Sequence, residues 1–104
     1  MAASDYDPAG PADLAPGTAQ CRAIGERRVL IARDTAGDWY ALAARCTHAE
    51  LPLDNARVRG AALLCPHHGA RFELATGKVL GPPAYVPIAT YKIRVIDGMI
   101  AVKL

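Results

Sequence analysis

Apolar positions in this chain come in short runs separated by polar turns, and no stretch sustains a helical stripe beyond two turns. Val29-Leu30-Ile31-Ala32 is a β-rich run. Trp39-Tyr40-Ala41-Leu42 follows it after the turn Asp34–Asp38, whose Gly37 suits a hairpin. Arg71-Phe72-Glu73-Leu74 alternates, which sets Phe72 and Leu74 on one face. Tyr91-Lys92-Ile93-Arg94-Val95 alternates too and turns Tyr91, Ile93 and Val95 inward. Asp97-Gly98 is a two-residue hairpin signal, from which Met99–Leu104 returns as the last strand. Strands at this spacing predict an all-β fold, an antiparallel sandwich or small barrel. Residues 1–17, rich in Ala, Pro, Gly and Asp, carry no periodicity and read as an irregular lead-in, with the stretch 1–13 standing ahead of the strands.

At 104 residues the chain forms a single domain, 1–104, small enough to bury only about 60–70% of its unfolded surface. Apolar residues make up 52% of it but aromatics only 6%, so the core is built from Val, Leu, Ile and Ala. The net charge of +2 comes from scattered Lys and Arg, which argues against a nucleic-acid patch. No apolar run approaches the roughly 18–20 residues of a membrane span, and the N-terminus lacks the basic and apolar regions of a signal peptide. A cytoplasmic protein without membrane attachment is expected. Three cysteines, an odd number, argue against a disulfide framework; beside histidines in a reducing compartment they point to metal.

The candidate chemistry lies between Arg45 and Pro87, where loops interrupt the strands and hold two cysteines and all three histidines. Cys46-Thr47-His48 offers two ligands one residue apart, and Cys65-Pro66-His67-His68-Gly69 offers two more. Each loop supplies one thiolate and one imidazole, so neither satisfies a metal centre alone. Two cysteines with two histidines also bind structural zinc, and a zinc-stabilised interaction module is one alternative. Zinc modules usually group cysteine with cysteine and histidine with histidine, whereas here each loop mixes the two. No nucleophile–base pair or general-acid pair marks the chain as an enzyme in its own right.

CTH, then CPHHG, then ARFELATGKV resembles the Rieske ferredoxins that serve ring-hydroxylating oxygenases. The resemblance runs from about Leu14 to Leu104, taking in DLAPGT, RRVLIARDTAGDWYALAARCTH, and a Gly81-Pro82-Pro83 segment similar to the family's proline-bearing third loop. It implies a Rieske-type [2Fe–2S] cluster, with Cys46 and Cys65 on one iron and His48 and His68 on the other. It further implies a base of antiparallel strands and a small cluster-binding subdomain over about 45–85, the histidine side nearest solvent. Gly69 would turn tightly beside the cluster, and N–H groups of both loops would point at the sulfides. The implied function is one-electron carriage from a flavin-dependent ferredoxin reductase to a terminal Rieske oxygenase, by a protein monomeric when free. The other alternative is the small Rieske subunit of a larger, nitrite-reductase-like oxidoreductase.

Departures within the resemblance bear on redox potential. Respiratory Rieske proteins carry a disulfide across the ligand loops; Leu51 and His67 occupy the matching positions here and cannot form one. Ala70 and Phe72 stand where those relatives place a serine and a tyrosine hydroxyl near the cluster. Fewer donors stabilise the reduced cluster less and lower its potential. Among the remaining residues, His67 reads as an exposed loop residue, Cys21 as a small buried hydrophobe, Trp39 and Tyr40 as core, and Pro82 and Pro83 as shape rather than chemistry. Arg45 and Arg71 adjoin the ligand loops as solvated arginines, or as a docking rim.

Overall fold

The computed structural model describes residues 6–46, 51–53, 56–66, 69–81 and 86–104. The strands among them are β1 (Asp7–Pro11), β2 (Thr18–Ile24), β3 (Arg27–Arg33), β4 (Trp39–Ala43), β5 (Arg45–Cys46) and β6 (Leu51–Pro52). After these come β7 (Arg57–Arg59), β8 (Ala62–Leu64), β9 (Arg71–Glu73), β10 (Val79–Gly81), β11 (Thr90–Ile96) and β12 (Met99–Lys103). No described residue is helical, and no helix is long and apolar enough to cross a membrane. The all-β expectation holds. A six-stranded antiparallel sheet runs β1-β12-β11-β4-β3-β2, and residues 45–81 form a four-stranded sheet, β10-β9-β8-β7, and the hairpin β5-β6.

The run at 29–32 is apolar at every position because β3 is covered on both sides. Leu30 and Ala32 enter a first core shared with Leu42, Leu53, Leu63, Phe72, Leu74 and Ile88. Val29 and Ile31 enter a second core with Ala41, Ile24, Ile100 and Val102. Alternation would have left one face to water; a continuous run fits a strand between two layers. The second core fills the six-stranded base, and the first holds residues 45–81 against it.

Three expectations need correction or refinement. The lead-in is not irregular throughout: Asp7 pairs with Val102, Pro8 with Ala101 and Pro11 with Met99, and Ala9 enters the second core. Local propensity missed β1 because β12 supplies its pairing, and an edge strand tolerates prolines. Val95 is 42% exposed rather than inward, since β11 meets β4 only at Thr90 and Tyr91 and its far half runs past the core. Trp39 and Tyr40 are half-buried, Trp39 with the Arg33 guanidinium over its ring and Tyr40 with its hydroxyl bonded to Asp34. The Asp97-Gly98 turn is as expected, with both residues at positive φ (52° and 78°), as a type I′ hairpin requires.

One guanidinium joins β1 and β2, the end strands of the six-stranded sheet. Arg22 of β2 donates from Nη1 to the carbonyls of Ala9 (3.0 Å) and Pro11 (2.6 Å), and from Nη2 to Asp13 (2.6 Å). Its side chain takes the place of a strand ladder. The β3–β4 turn is held by Asp34, which accepts from the Asp38 backbone N–H (2.9 Å) and from the Tyr40 hydroxyl (3.0 Å). The Asp38 N–H is the main reason its carboxyl titrates below the ordinary 3.8, with Tyr40 adding to that and burial opposing it. Burial, then the Asp34 hydrogen bond and charge, push the Tyr40 phenol up. The same turn reaches residues 45–81, where the Thr35 N–H donates to the Gly60 carbonyl at 3.3 Å.

These contacts make two predictions. Arg22→Ala removes charged hydrogen bonds to the partly buried Ala9 carbonyl and to the Pro11 carbonyl, and should cost about 2 kcal/mol in urea unfolding. Asp13→Ala, which removes only an ion pair whose carboxylate is 64% exposed, should cost less than about 1 kcal/mol; equal losses would contradict this role for Arg22. Because Asp34 titrates lower when folded, its contribution is complete above 3.8 and lost as pH falls through the depressed value. Unfolding midpoints of wild type and Asp34→Asn should therefore converge on acidification below 3.8 and differ at neutral pH.

Candidate metal centre

Each candidate ligand loop has a cysteine at the neck of a hairpin. β5 and β6 pair Arg45 with Pro52 and Cys46 with Leu51, so Cys46 ends the incoming strand. The Leu53 N–H donates to the Ala44 carbonyl at 2.9 Å and continues that pairing one step toward the core. In the second loop Cys65 follows β8 directly. Its N–H donates to the Ala70 carbonyl at 2.8 Å, and the Gly69 N–H returns to the Cys65 carbonyl at 3.2 Å. Cys46 and Cys65 therefore both stand at hairpin necks.

Cys65 is a thiol outside any disulfide and 3% exposed, packed in the first core with Leu53, Leu63, Ala70 and Phe72. The side chain of Cys46 and residues His48, His67, His68, Pro82 and Pro83 lie outside what the structure describes. Gly69 has φ of +74°, the tight turn expected of it. The Cys65 and Gly69 N–H groups both bond within the loop, and the other loop N–H groups expected to point at the sulfides lie outside the described residues. Ala70 and Phe72 are fully buried and bring no hydroxyl to the neck. Among the described residues, no group of three or more His, Cys, Asp or Glu offers another metal site.

Sequence reasoning missed Gly77. Its φ is +76°, and a Cβ added there would come 1.9 Å from the Ile88 carbonyl oxygen. The Gly77 N–H donates to the Glu73 carbonyl at 2.7 Å, and its own carbonyl accepts from the Ile88 N–H at 2.9 Å. This clamp fixes the chain leaving β9 against the segment that returns to the base. The turn ahead of it is held by Thr76, whose Oγ1 donates to Glu73 Oε1 at 2.6 Å.

Comparison with known proteins agrees with this geometry. The Rieske [2Fe–2S] domain pattern matches residues 5–92. The 3-phenylpropionate/cinnamic acid dioxygenase ferredoxin subunit of Shigella flexneri serotype 5b (strain 8401) is 35% identical over 77 residues, 73% of each chain. The ferredoxin of carbazole 1,9a-dioxygenase from Nocardioides aromaticivorans IC177 superposes with a TM-score of 0.85 at 28% identity, over 95% of this chain and 97% of that one. A ferredoxin solved in a complex of reduced oxygenase and oxidized ferredoxin in carbazole 1,9a-dioxygenase matches with a TM-score of 0.80 at 28% identity, over 91% of this chain and 98% of its own. The chain belongs to the Rieske [2Fe–2S] domain family, with a Rieske-type cluster as its cofactor and one-electron carriage, not catalysis, as its role.

Proposed function

We propose that Cys46, His48, Cys65 and His68 hold the cluster, and that the chain carries electrons from a flavin-dependent ferredoxin reductase to a terminal Rieske oxygenase in the cytoplasm. The observation that carries this reading is the pair of hairpin necks, each presenting a cysteine, with Cys65 buried in the core that anchors both loops. The donor set fits the group: a Rieske centre takes two thiolates on one iron and two imidazoles on the other, and each loop offers one of each. The relatives named as ferredoxins of dioxygenase systems support the partners.

The cluster supplies a site that accepts and releases one electron. The chain's part is to fix the ligands and set the potential. Cys65 is held by its own N–H bond to Ala70 and by apolar neighbours on several sides, so its sulfur has little room to move between oxidation states. Two ferric ions, two sulfides and two thiolates sum to zero, and reduction leaves one negative charge. No hydroxyl at Ala70 or Phe72 compensates that charge, and Leu51 and His67 cannot form a disulfide across the loops.

Cys46→Ser and Cys65→Ser should each reduce iron from about two per chain to near zero, while Cys21→Ser and His67→Ala keep it. Retention of the full iron content in Cys65→Ser would remove this ligand assignment. In a reconstituted system with reductase and oxygenase, substrate turnover should depend on this chain and be lost with the same serine variants. The potential should lie near the low end of the roughly −150 to +300 mV range of Rieske centres, and Ala70→Ser should raise it. A wild-type value above about +100 mV on that scale would contradict the missing-donor argument.

A further inference from the structure

The arginines divide into two groups by what they do in the fold. On the base, Arg22 bridges β1 and β2, and Arg33 donates to the carbonyls of Gly37 and Leu14 and stacks on Trp39. Arg27 covers Tyr91, and Arg94 covers Tyr6. On residues 45–81, by contrast, Arg45, Arg57, Arg59 and Arg71 are all exposed, and none has an ion-pair partner among the described residues.

Strand register places three of these on one face. Val58, Leu63, Phe72 and Val79 turn inward to the first core, so their neighbours in sequence turn outward. Arg57 lies opposite Leu64 and Leu64 opposite Arg71, in the row beside Cys65. Arg59, Ala62 and Glu73 form the next row, about 7 Å farther from the loop. The guanidinium of Arg71 leans over Gly81, where it would stand 2.8 Å from an added Cβ. Glu73, the one carboxylate among these outward residues, already accepts from Thr76. Leu80, on the adjoining strand β10, is 44% exposed. A small apolar centre rimmed by arginines has the make-up of a protein-docking surface.

We propose that the outward face of β7-β8-β9, led by Arg57, Leu64 and Arg71, docks a carboxylate-rich surface of the acceptor oxygenase beside the cluster loop. This rests on the ferredoxin reading above. The occupant follows from charge: three arginines against one engaged carboxylate attract acidic residues, and the guanidinium fork pairs with carboxylates bidentately. The field also orients encounters, so that the partner arrives with its redox centre toward the ligand loops.

The test is stopped-flow electron transfer from dithionite-reduced protein to the terminal oxygenase used in the reconstitution, from low to high salt. Wild-type transfer should slow as salt rises. Arg57→Glu/Arg71→Glu should be roughly tenfold slower at low salt with the salt slope lost or reversed, while Arg57→Lys/Arg71→Lys retains most of the rate. Lys92→Glu/Lys103→Glu makes the same change in net charge on the base and should keep the wild-type slope. Hexacyanoferrate(III), taking one electron to become hexacyanoferrate(II), provides a second readout: its reduction should slow in the Arg57→Glu/Arg71→Glu variant, and that of hexaamminecobalt(III) should quicken. An oxygenase that accepts electrons equally well from wild type and this variant, at every salt concentration, overturns the docking face alone. One that never accepts them from wild type overturns the ferredoxin reading and the docking face with it.

Discussion

Val29, Leu30, Ile31 and Ala32 occupy consecutive positions of β3, and none is more than 1% exposed. Such a strand is possible only where each face has something to cover it, and here each face is covered by a different part of the chain. Val29 and Ile31 meet Ile100 and Val102 in the base, while Leu30 and Ala32 meet the layer that contains Leu63, Cys65 and Phe72. The proposed ligand loops therefore rest on the same strand that organises the base. Had β3 alternated, the base could still have curled into its sheet, but the second layer would have had no apolar surface to sit on. Side chains such as Phe72 and Leu63, buried completely, contribute about 1.5–3 kcal/mol each to holding it there.

That anchoring suits an electron carrier. A ligand set that shifts little between oxidation states exchanges electrons with little reorganisation, and the proposed ligand Cys65 is buried at its hairpin neck. The second layer is attached at several separate points: Thr35 to Gly60 at the β3–β4 turn, Gly77 to Ile88 at the return to the base, and the apolar contacts of Leu53 and Ala56. The polar attachments use backbone groups, and among the described residues no ion pair engages the arginine side chains on residues 45–81.

The strands with the clearest local pattern were legible in the sequence. The run at 29–32, the alternation at 71–74 and the Asp97-Gly98 turn each carry the period or turn chemistry of what they form. β1 was illegible because Asp-Pro-Ala-Gly-Pro has no strand preference, and its pairing is donated by β12 at the opposite end of the chain. Val95 alternates as an inward residue would, yet periodicity cannot say where the neighbouring strand stops. At the candidate site the cysteine and histidine spacing was readable as metal chemistry. Gly77 was not, because its constraint is the distant Ile88 carbonyl; nor was the shared face of Arg57 and Arg71, which strand register alone creates.

The ligand assignment is tested most directly by nitrogen ENDOR on the dithionite-reduced protein, prepared without oxygen and assayed for iron and sulfide. Two inequivalent imidazole nitrogen couplings to the cluster spin are predicted, with one of them absent from any cluster retained by His68→Cys. A spectrum with no strongly coupled nitrogen, or a colourless, EPR-silent protein containing zinc, would contradict the account.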